Sequence, residues 1–294
     1  MCKISHLSFE STLFEAIIMK LEDRKMNIEF GRTEGYQGDY KNANFELAGK
    51  KAIVTGGAKG IGKAAVKGYV EQYVDVAIVD IDINEAYRTA EEFNEIRRGK
   101  VIVVPCDVTK PDQVSIMVET VLKEFGRIDA CFNNAGIAIN EPAEIMKYES
   151  WLKLMDINLN AVFLVAQAVG RVMIKQREGS IINTASMSGY VVNFPQPQVG
   201  YNASKAAVIQ LSKSLAVEWV KYNVRVNSLS PGYIYTEMTC KGKEEWRTIW
   251  ENNCPMQRMG YPQELVGALL YLSSDYSKFM SGQDMLIDGA FSAV

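Results

Sequence analysis

Tyr201 and Lys205 are the residues of this chain whose types and spacing point most directly to chemistry. Residues four apart on a helix lie on the same face, so the phenol and the ammonium group are expected to be neighbours. A tyrosine titrates near about 10, and an ammonium group about 4 Å away is expected to lower that pKa to about 7. The pair predicts a tyrosine that exchanges protons with a substrate, although such pairs also occur on ordinary helices.

A glycine-rich loop lies upstream of this pair, between a predicted buried strand at 51–54 and a helix predicted from Ile61 to about Gln72. Strand, glycine turn and helix is the context of a dinucleotide-binding loop, in which glycines let the backbone turn and approach a pyrophosphate. The helix N-terminus offers N–H groups and a positive dipole end to the phosphates, and Gly62 is expected to let the helix lie close to the sheet. The alternative is a glycine turn without a ligand. The residues assigned to this loop are Gly56, Lys59, Gly60, Ile61 and Gly62.

A carboxylate follows the second predicted strand, which covers 76–79. Asp80 lies eighteen residues after Gly62, near the distance at which an acidic residue hydrogen-bonds the adenosine ribose. It would repel a 2′-phosphate, whereas the flexible Lys59 could contact one. Because the carboxylate lies at the ribose itself, we expect NAD rather than NADP as the cofactor.

With these motifs in order, the chain resembles the short-chain dehydrogenases/reductases from about Leu47 to Ala293. The resemblance implies an alcohol dehydrogenase or ketone reductase that uses a nicotinamide cofactor. It also implies further cofactor contacts, at the adenine, along the adenosine side and at the nicotinamide carboxamide. These residues are Asp107 and Val108, then Asn134, Ala135 and Gly136, then Pro231, Gly232, Ile234 and Thr236.

The same resemblance implies a catalytic set. Tyr201 would be the general acid/base, and Lys205 would lower its pKa and hydrogen-bond the nicotinamide ribose. Ser186 would donate to the reacting oxygen, and the backbone carbonyl of Asn158 would hold a water of a proton relay. Two alternatives remain, in which Ser186 only caps a strand end and Asn158 is a packing residue. Ser188 is a rival for the serine role.

Three places depart from the family pattern. The spacing from Ser186 to Tyr201 is fifteen residues, longer than expected, and the excess falls within 193–198. Tyr73 stands in a turn where glycine is common, so that turn is expected to be strained or longer. Ala290 replaces a frequent second glycine. The first departure places the geometry of the substrate pocket in question.

Alternating strand and helix patterns predict the fold: a single doubly wound, parallel seven-stranded sheet flanked by helices, of the Rossmann type. The division predicted along the chain is an N-terminal extension over 1–48 and an NAD-binding domain over 49–294. The extension is expected to be partly disordered or to include a mis-assigned start, with translation beginning at Met26; the alternative is an arm that packs on a neighbouring subunit. The strands are predicted near 51–55, 76–80, 101–105, 128–132, 180–185, 224–229 and 284–287.

Composition excludes several classes of function. A net charge of −3 gives no basic footprint for nucleic acid. Five cysteines without a CxxC pair, together with the single His6, give no metal site. The absence of a run of 18 apolar residues predicts no membrane span, and the cytoplasm is the default location. The resemblance implies a homo-oligomer, commonly a tetramer, formed through helices near 149–176 and 199–222.

The substrate is indicated by the segments 186–201 and 216–227, which resemble the polyol dehydrogenases and ketose reductases of the family, of the arabinitol, mannitol, xylulose and sorbose type. Asn193, Gln196 and Gln198 could bind sugar hydroxyls or could face solvent. We expect an oxidoreductase that interconverts a sugar alcohol and its ketose. The alternatives are a 3-oxoacyl carrier-protein reductase, a hydrophobic-alcohol dehydrogenase and a non-catalytic NAD-binding regulator.

Overall fold

The computed structural model describes residues 44–96, 98–240 and 243–294. The prediction for residues 1–43 lies outside the described residues, so the division of the chain near residue 48 stays a prediction.

Seven strands form one parallel sheet in the order β3-β2-β1-β4-β5-β6-β7. This sheet confirms the predicted fold class. The chain reverses its direction of travel across the sheet between β1 and β4, and such a switch point opens a ligand crevice at the carboxyl ends of the strands. The strands are β1 Lys51–Thr55, β2 Asp75–Asp80, β3 Val101–Pro105, β4 Ala130–Asn133, β5 Gly179–Thr184, β6 Val224–Pro231 and β7 Asp284–Ile287.

Helices cover both faces of the sheet. The described α-helices are α1 Gly60–Glu71, α2 Ile83–Asn94, α3 Pro111–Phe125, α4 Tyr148–Met155, α5 Ala161–Gln176, α6 Val199–Trp219, α7 Glu237–Cys240, α8 Glu244–Asn253 and α9 Val266–Ser273. Short 3₁₀ turns lie at Met187–Gly189, Val220–Tyr222, Pro262–Leu265, Asp275–Ser277 and Phe291–Ala293.

Two apolar cores lie on opposite faces of the sheet. Ala52 and Val54 of β1 pack into one core with α1, α2 and α9, and Ile53 packs into the other with α3, α5 and α6. Because both faces are covered, the central strands are apolar at successive positions rather than at alternate ones. This explains why short continuous apolar runs located the strands in the sequence.

The helix predicted over 149–176 is interrupted. A π-helical turn, Asp156–Asn160, separates α4 from α5. Within Tyr148–Gln176 an 18-residue window has a mean hydropathy of 1.6, so in the described chain this stretch is long and apolar enough to cross a membrane. Here Val165, Val169 and Met173 are fully buried in the core, as in the core helix of a globular domain.

The two remaining departures from the family pattern are backbone features. Tyr73, in the turn before β2, has φ +61°, and Ala290, after β7, has φ +67°. Both are in the left-handed region that L-residues enter at a cost of about 1–2 kcal/mol. The prediction of a strained turn at Tyr73 is confirmed.

Candidate active site

The glycine loop leaves β1 at the switch point of the sheet. Gly56 and Gly60 have φ values of +64° and +54°, which glycine adopts without strain. A Cβ on Gly56 would lie 3.1 Å from the Ala135 Cα, and one on Gly62 would lie 2.0 Å from the Gly56 carbonyl oxygen. Gly62 is therefore required by the loop's own backbone rather than, as expected, by contact between the helix and the sheet.

The N-terminus of α1 suits a phosphate. Lys59 precedes the helix and, in the part of the chain that the structure describes, no side chain caps it, so the N–H groups of the first turn and the positive dipole end are available to an anion. A Cβ at Gly60 would lie 3.4 Å from the Thr236 Cγ2 atom. The loop therefore lies close to the turn after β6, and its uncapped helix N-terminus fits a phosphate of a dinucleotide.

Asp80 closes β2 and organises the same loop. Its carboxylate accepts hydrogen bonds from the backbone N–H of Ala58 at 3.0 Å and of Asp82 at 2.9 Å. Lys59 does not stand free beside it, because its ammonium group donates to Asp82 at 2.8 Å. That hydrogen bond raises the pKa of Lys59 and lowers the pKa of Asp82. Asp82 was not among the predicted site residues.

The end of β4 is tied to β1 by Thr55. The Thr55 hydroxyl accepts from the backbone N–H of Asn134 at 2.8 Å and of Ala135 at 3.0 Å. The Asn134 amide donates to the Thr55 carbonyl oxygen at 3.2 Å and accepts from Thr184 at 3.3 Å. Asn134 thus links the ends of three strands. Thr55 was missed as a site residue, since its hydroxyl bonds follow only from the register of β1 and β4.

The end of β3 holds Asp107 and Val108 at the rim of the sheet. The Asp107 carboxylate accepts from the Thr109 hydroxyl at 2.7 Å and from the Thr109 backbone N–H at 3.0 Å. These hydrogen bonds hold the pKa of Asp107 below its usual value. The side chain therefore shapes the local turn, and its predicted contact with the adenine stays a prediction.

The turn after β6 is closed against β7. Gly232 donates to the Ile287 carbonyl oxygen at 2.8 Å, and a Cβ on Gly232 would lie 2.6 Å from the Asp288 Cα. Ile234 continues the turn by bridging to Gly260. The glycine in Pro231-Gly232 is therefore required for this close approach of two backbones.

Asn158 lies in the π-helical turn and is fully buried. Its side chain accepts from the backbone N–H of Ile137 and donates to the Ile137 carbonyl oxygen, both at 2.9 Å. It also donates to the Ser204 hydroxyl at 3.3 Å. Asn158 therefore fixes the segment after Gly136 to α6. The side chain of Asn158 therefore acts as a packing residue, which was the alternative considered for it. The predicted role of its backbone carbonyl stays a prediction.

Ser186 and Tyr201 meet in a cavity of about 110 Å³ at the carboxyl end of β5. The longer spacing between them does not separate the two hydroxyls, because a hydrogen bond from Ser186 to the Tyr201 phenol lowers the tyrosine pKa. The Ser186 oxygen also accepts from the Ser188 backbone N–H at 3.1 Å. Ser188 faces the same cavity, but its hydroxyl accepts from Gln198 at 3.2 Å.

Lys205 does not act on Tyr201 as the spacing suggested. Its ammonium group is 5.6 Å from the centre of the tyrosine ring and donates to the Thr184 carbonyl oxygen at 2.8 Å. Burial raises the pKa of Tyr201, and the hydrogen bond from Ser186 only partly offsets it. Burial also lowers the pKa of Lys205 to about 8. The predicted fall of the tyrosine pKa was wrong because both groups are withdrawn from water.

The polar loop before α6 is buried rather than solvated. The exposed fractions of Asn193, Gln196 and Gln198 are 5%, 5% and 9%, so the solvent-facing alternative is wrong. Their amides bond one another and also Tyr233 and Trp250. Tyr233 and Trp250 line the cavity, and Tyr233 was not among the predicted site residues. The sequence signal for Tyr233 was its place directly after Pro231-Gly232.

The flap, residues 237–240 and 243–260, contributes side chains to the wall of the cavity. Met238, Thr239, Trp246 and Trp250 line the cavity of Ser186 and Tyr201. A second cavity, of about 210 Å³, is also lined by Tyr233, but neither Ser186 nor Tyr201 lines it. Among the described residues, no group of three or more His, Cys, Asp or Glu side chains is placed to hold a metal ion.

Several known proteins are similar to this chain over most of its length. Residues 56–292 match the family model described as enoyl-(acyl carrier protein) reductase. The sorbose reductase of Candida albicans is 42% identical over 84% of this chain and 88% of its own length. A probable NADP-dependent mannitol dehydrogenase of Yarrowia lipolytica is 39% identical over 84% of this chain and 89% of its own. An NADH-dependent L-xylulose reductase of Ambrosiozyma monospora is 38% identical over 85% of this chain and 97% of its own.

A solved structure agrees with the fold. The crystal structure of a short-chain type dehydrogenase/reductase from Mycobacterium marinum is 41% identical, with a TM-score of 0.83 over 85% of this chain and 98% of that one. With a family model that matches residues 56–292, relatives at this identity and a parallel sheet of the same fold, the chain belongs to the short-chain dehydrogenase/reductase family.

Proposed function

We propose that this protein interconverts a sugar alcohol and its ketose, with NAD as the cofactor and Tyr201 as the general acid/base. One observation carries the proposal: the cavity that brings Ser186 and Tyr201 together is walled partly by buried polar side chains, among them Gln196 and Gln198. A substrate with several hydroxyls matches such a wall, because its oxygens can donate to or accept from the polar side chains there. The activities named for the relatives support the same class of substrate.

The nicotinamide, when bound, supplies the hydride acceptor or donor, and the residues of the chain manage the proton and the orientation. In ketone reduction, the Tyr201 hydroxyl donates its proton to the substrate oxygen. In oxidation, the same atom takes that proton. The Ser186 hydroxyl has one hydrogen and several acceptors within reach, so it can turn to the substrate oxygen and stabilise the charge that develops there.

Lys205 and Asn158 have supporting roles beside Ser186 and Tyr201. Lys205 lies beneath the Tyr201 ring, close to Gly136, where a Cβ would be 3.7 Å from its ammonium nitrogen. Its pKa of about 8 allows it to exchange a proton near neutral pH. Asn158 holds the backbone after Gly136 in place. We assign proton exchange with solvent to Lys205 and positioning to Asn158.

NAD is proposed over NADP because of two charges. Asp80 places a carboxylate at the end of β2, where it would repel a 2′-phosphate. Lys59, which could attract one, is paired with Asp82. The names of the relatives include both cofactors, so the electrostatics of this chain carry the choice.

The proposal is tested by turnover of the purified protein with NAD and NADP across pentitols, hexitols and simple secondary alcohols, and with the matching ketoses in reverse. We expect NAD-linked turnover of a polyol, with NADP at least about tenfold worse in kcat/KM, a difference of about 1.4 kcal/mol. Efficient NADP-linked turnover would overturn the cofactor assignment. No turnover of any polyol or ketose, with NAD still bound, would overturn the substrate class.

We also propose a cytoplasmic homo-oligomer, with a tetramer as the expected state. Apolar side chains exposed on α4, α5 and α6 support an interface on these helices, because large exposed apolar patches commonly mark contacts between subunits. Tyr148, Leu152, Phe163 and Val217 are 68%, 48%, 39% and 78% exposed. Light scattering of the purified protein tests this, and a monomer at micromolar concentration would contradict it.

A further inference from the structure

A chain of buried hydrogen bonds connects the flap to the loop before α6. Trp250 Nε1 donates to Gln196 Oε1 at 2.8 Å. Gln196 Nε2 donates to Gln198 Oε1 at 3.1 Å and to the Tyr233 hydroxyl at 2.8 Å. Gln198 Nε2 donates to Asn193 Oδ1 at 2.8 Å, and Asn193 Nδ2 donates to the Tyr233 hydroxyl at 3.1 Å. This series of hydrogen bonds therefore begins at the Trp250 indole and ends at the Tyr233 phenol.

The Trp250 indole fixes the orientation of the Gln196, Gln198 and Asn193 amides. An indole N–H can only donate, so the Gln196 atom that it contacts must be the oxygen. The Gln196 amino group must then face Gln198 and Tyr233. Because Gln198 Oε1 receives that bond, its amino group must face the Asn193 oxygen, which leaves the Asn193 amino group for Tyr233. No amide can turn over without placing two donors or two acceptors together.

This orientation determines what the Tyr233 hydroxyl can do. Its oxygen accepts two hydrogen bonds, from Asn193 and Gln196, which occupies the two lone pairs of a phenol. Its hydrogen has no acceptor among the residues that the structure describes. Burial raises the pKa of Tyr233, so the hydrogen is present at neutral pH. The hydroxyl is therefore restricted to donating, and the cavity that it shares with Ser186 and Tyr201 offers the space for an acceptor.

The Tyr233 ring is held in one position. It stacks on Trp250 with ring centres 4.4 Å apart and planes 11° apart. The edge of Phe291 contacts it at 5.5 Å with an angle of 82° between the planes. A fixed ring with a hydroxyl that can only donate is a preorganised recognition group.

Resting on the proposed function, we propose that the Tyr233 hydroxyl determines specificity by donating a hydrogen bond to a substrate oxygen on the carbon chain beyond the reacting carbon. Polyols and ketoses carry such an oxygen, and an alcohol with a single hydroxyl does not. A site built to bond a hydroxyl discriminates against a substrate that lacks it, because the buried donor is then left unpaired.

The test compares two substrates in one variant. Tyr233→Phe removes the hydroxyl and keeps the ring. For the best pentitol, we expect kcat/KM to fall about 10- to 100-fold, mainly through KM. For the best simple secondary alcohol, measured as a substrate or as a competitive inhibitor, we expect a change of less than about twofold. The matched control is Tyr276→Phe, whose hydroxyl bonds Glu46 at the surface and which should change neither value.

A second variant tests the orientation argument itself. Trp250→Phe keeps an aromatic ring against Tyr233 and removes the N–H that fixes Gln196. Gln196, Gln198 and Asn193 can then turn over together, so that Gln196 and Asn193 present oxygens to Tyr233, whose hydrogen would bond within the protein. We expect the preference for the pentitol over the simple alcohol to fall although Tyr233 is intact. An unchanged preference would overturn the role of the indole.

Equal losses on both substrates in Tyr233→Phe, or no loss on either, would overturn the assignment of Tyr233 while the wild-type protein still turns over polyols. A wild-type protein that turns over the simple alcohols and no polyol or ketose would instead overturn the proposed function, and the assignment of Tyr233 with it. NAD affinity and the thermal midpoint show that each variant is folded, since neither depends on the substrate hydroxyl.

Discussion

Tyr201 carries the proton in the proposed reaction, so its hydroxyl is the atom whose removal should stop turnover. Tyr201→Phe keeps the ring beneath which Lys205 lies and removes only that oxygen. We expect kcat to fall about 10²- to 10⁴-fold, as for the loss of a general acid/base. The Kd for NAD, measured by fluorescence titration, should stay within about twofold, because the cofactor loses no charged contact. Tyr190→Phe is the control, since its hydroxyl bonds Asp284 at the surface. A Tyr201→Phe variant with wild-type turnover would exclude the mechanism.

The pKa of Tyr201 is raised, and pH profiles can test the direction of this shift. A phenol with a raised pKa is protonated at neutral pH, which is the form that donates a proton in ketone reduction. Oxidation needs the deprotonated form. We therefore expect kcat/KM for oxidation to rise with pH through the alkaline range, and kcat/KM for reduction to be level at neutral pH and fall only at high pH. Steady-state rates in both directions give the two profiles. An oxidation rate that is level from pH 6 upward would show that a bound cofactor lowers the tyrosine pKa, contrary to this expectation.

Asp82 is expected to strengthen the choice of NAD by holding Lys59. Asp82→Asn removes the charge that pairs with Lys59 and keeps a side chain that can still cap α2, which Asp82 begins. The freed ammonium group can attract a 2′-phosphate, so we expect KM for NADP to fall about two- to fivefold, with little change for NAD. Glu92→Gln is the matched control, because it frees Lys63 from a similar ion pair at 2.7 Å outside the predicted cofactor contacts. An equal effect of both variants would mean that net charge, not Lys59, is responsible.

At this scale the sequence predicted which side chains meet but not their energetics. Spacing alone brought Tyr201 and Lys205 onto one helical face. The pKa directions depend on burial, which sums the effects of several elements, and on the Thr184 carbonyl that takes the lysine's hydrogen bond. Tyr233 and Trp250 are 17 residues apart and are stacked only because the flap folds back, so no local pattern predicts their contact.

At the scale of elements, the central strands β1, β2 and β4 were predictable because each contains a short apolar run that is buried on both faces. The π-helical turn at Asp156–Asn160 was not, since it contains no proline or glycine that would mark a break in the helix. The fold of the loop 190–198 was not predictable either. Its amides were recognised as polar, but their burial depends on partners from the turn after β6 and from α8.

The segment after β7 gives a prediction for one element. Ala290 has φ +67° and its side chain is exposed, so glycine there should relieve backbone strain without removing a buried contact. We expect Ala290→Gly to stabilise the protein by about 0.5–1 kcal/mol, or about 1–4 °C in the thermal midpoint. Ala206→Gly, in the exposed interior of α6, is the same substitution at helical φ and should destabilise by about 1 kcal/mol. If both variants shift the midpoint downward, the strain at Ala290 is not significant.

At the scale of the whole molecule, the site is built at the expense of stability. Lys205 is 3% exposed, and no carboxylate of the described residues forms an ion pair with it. A buried charge without a partner destabilises the folded state, and the depressed pKa expresses that cost. Catalytic groups held in this way commonly oppose stability.

Lys205→Met should therefore remove turnover and stabilise the apoprotein at neutral pH. The lysine pKa is about 8 in the folded protein, against a model value of 10.5, so below pH 8 both states bind the proton and the folded state bears the full cost. From pH 8 to about 10.5 the unfolded chain binds more protons than the folded one, so the wild-type protein regains stability as pH rises. The full destabilisation by the buried ammonium group corresponds to about 3 kcal/mol. The Lys205→Met variant also loses the hydrogen bond to Thr184, which reduces its gain in stability by about 1 kcal/mol.

We accordingly expect Lys205→Met to unfold at higher urea than the wild type at pH 7, by about 2 kcal/mol, with the difference shrinking steadily between pH 8 and 10. Tyrosine titrations are common to both proteins and cancel in the difference. All measurements need one protein concentration, because an oligomer's stability depends on it. Lys213→Met, exposed on the same helix, should change stability by less than about 0.5 kcal/mol at every pH. A Lys205→Met variant that is less stable at pH 7, or whose advantage does not decline with pH, would show that the buried ammonium group is compensated within the fold.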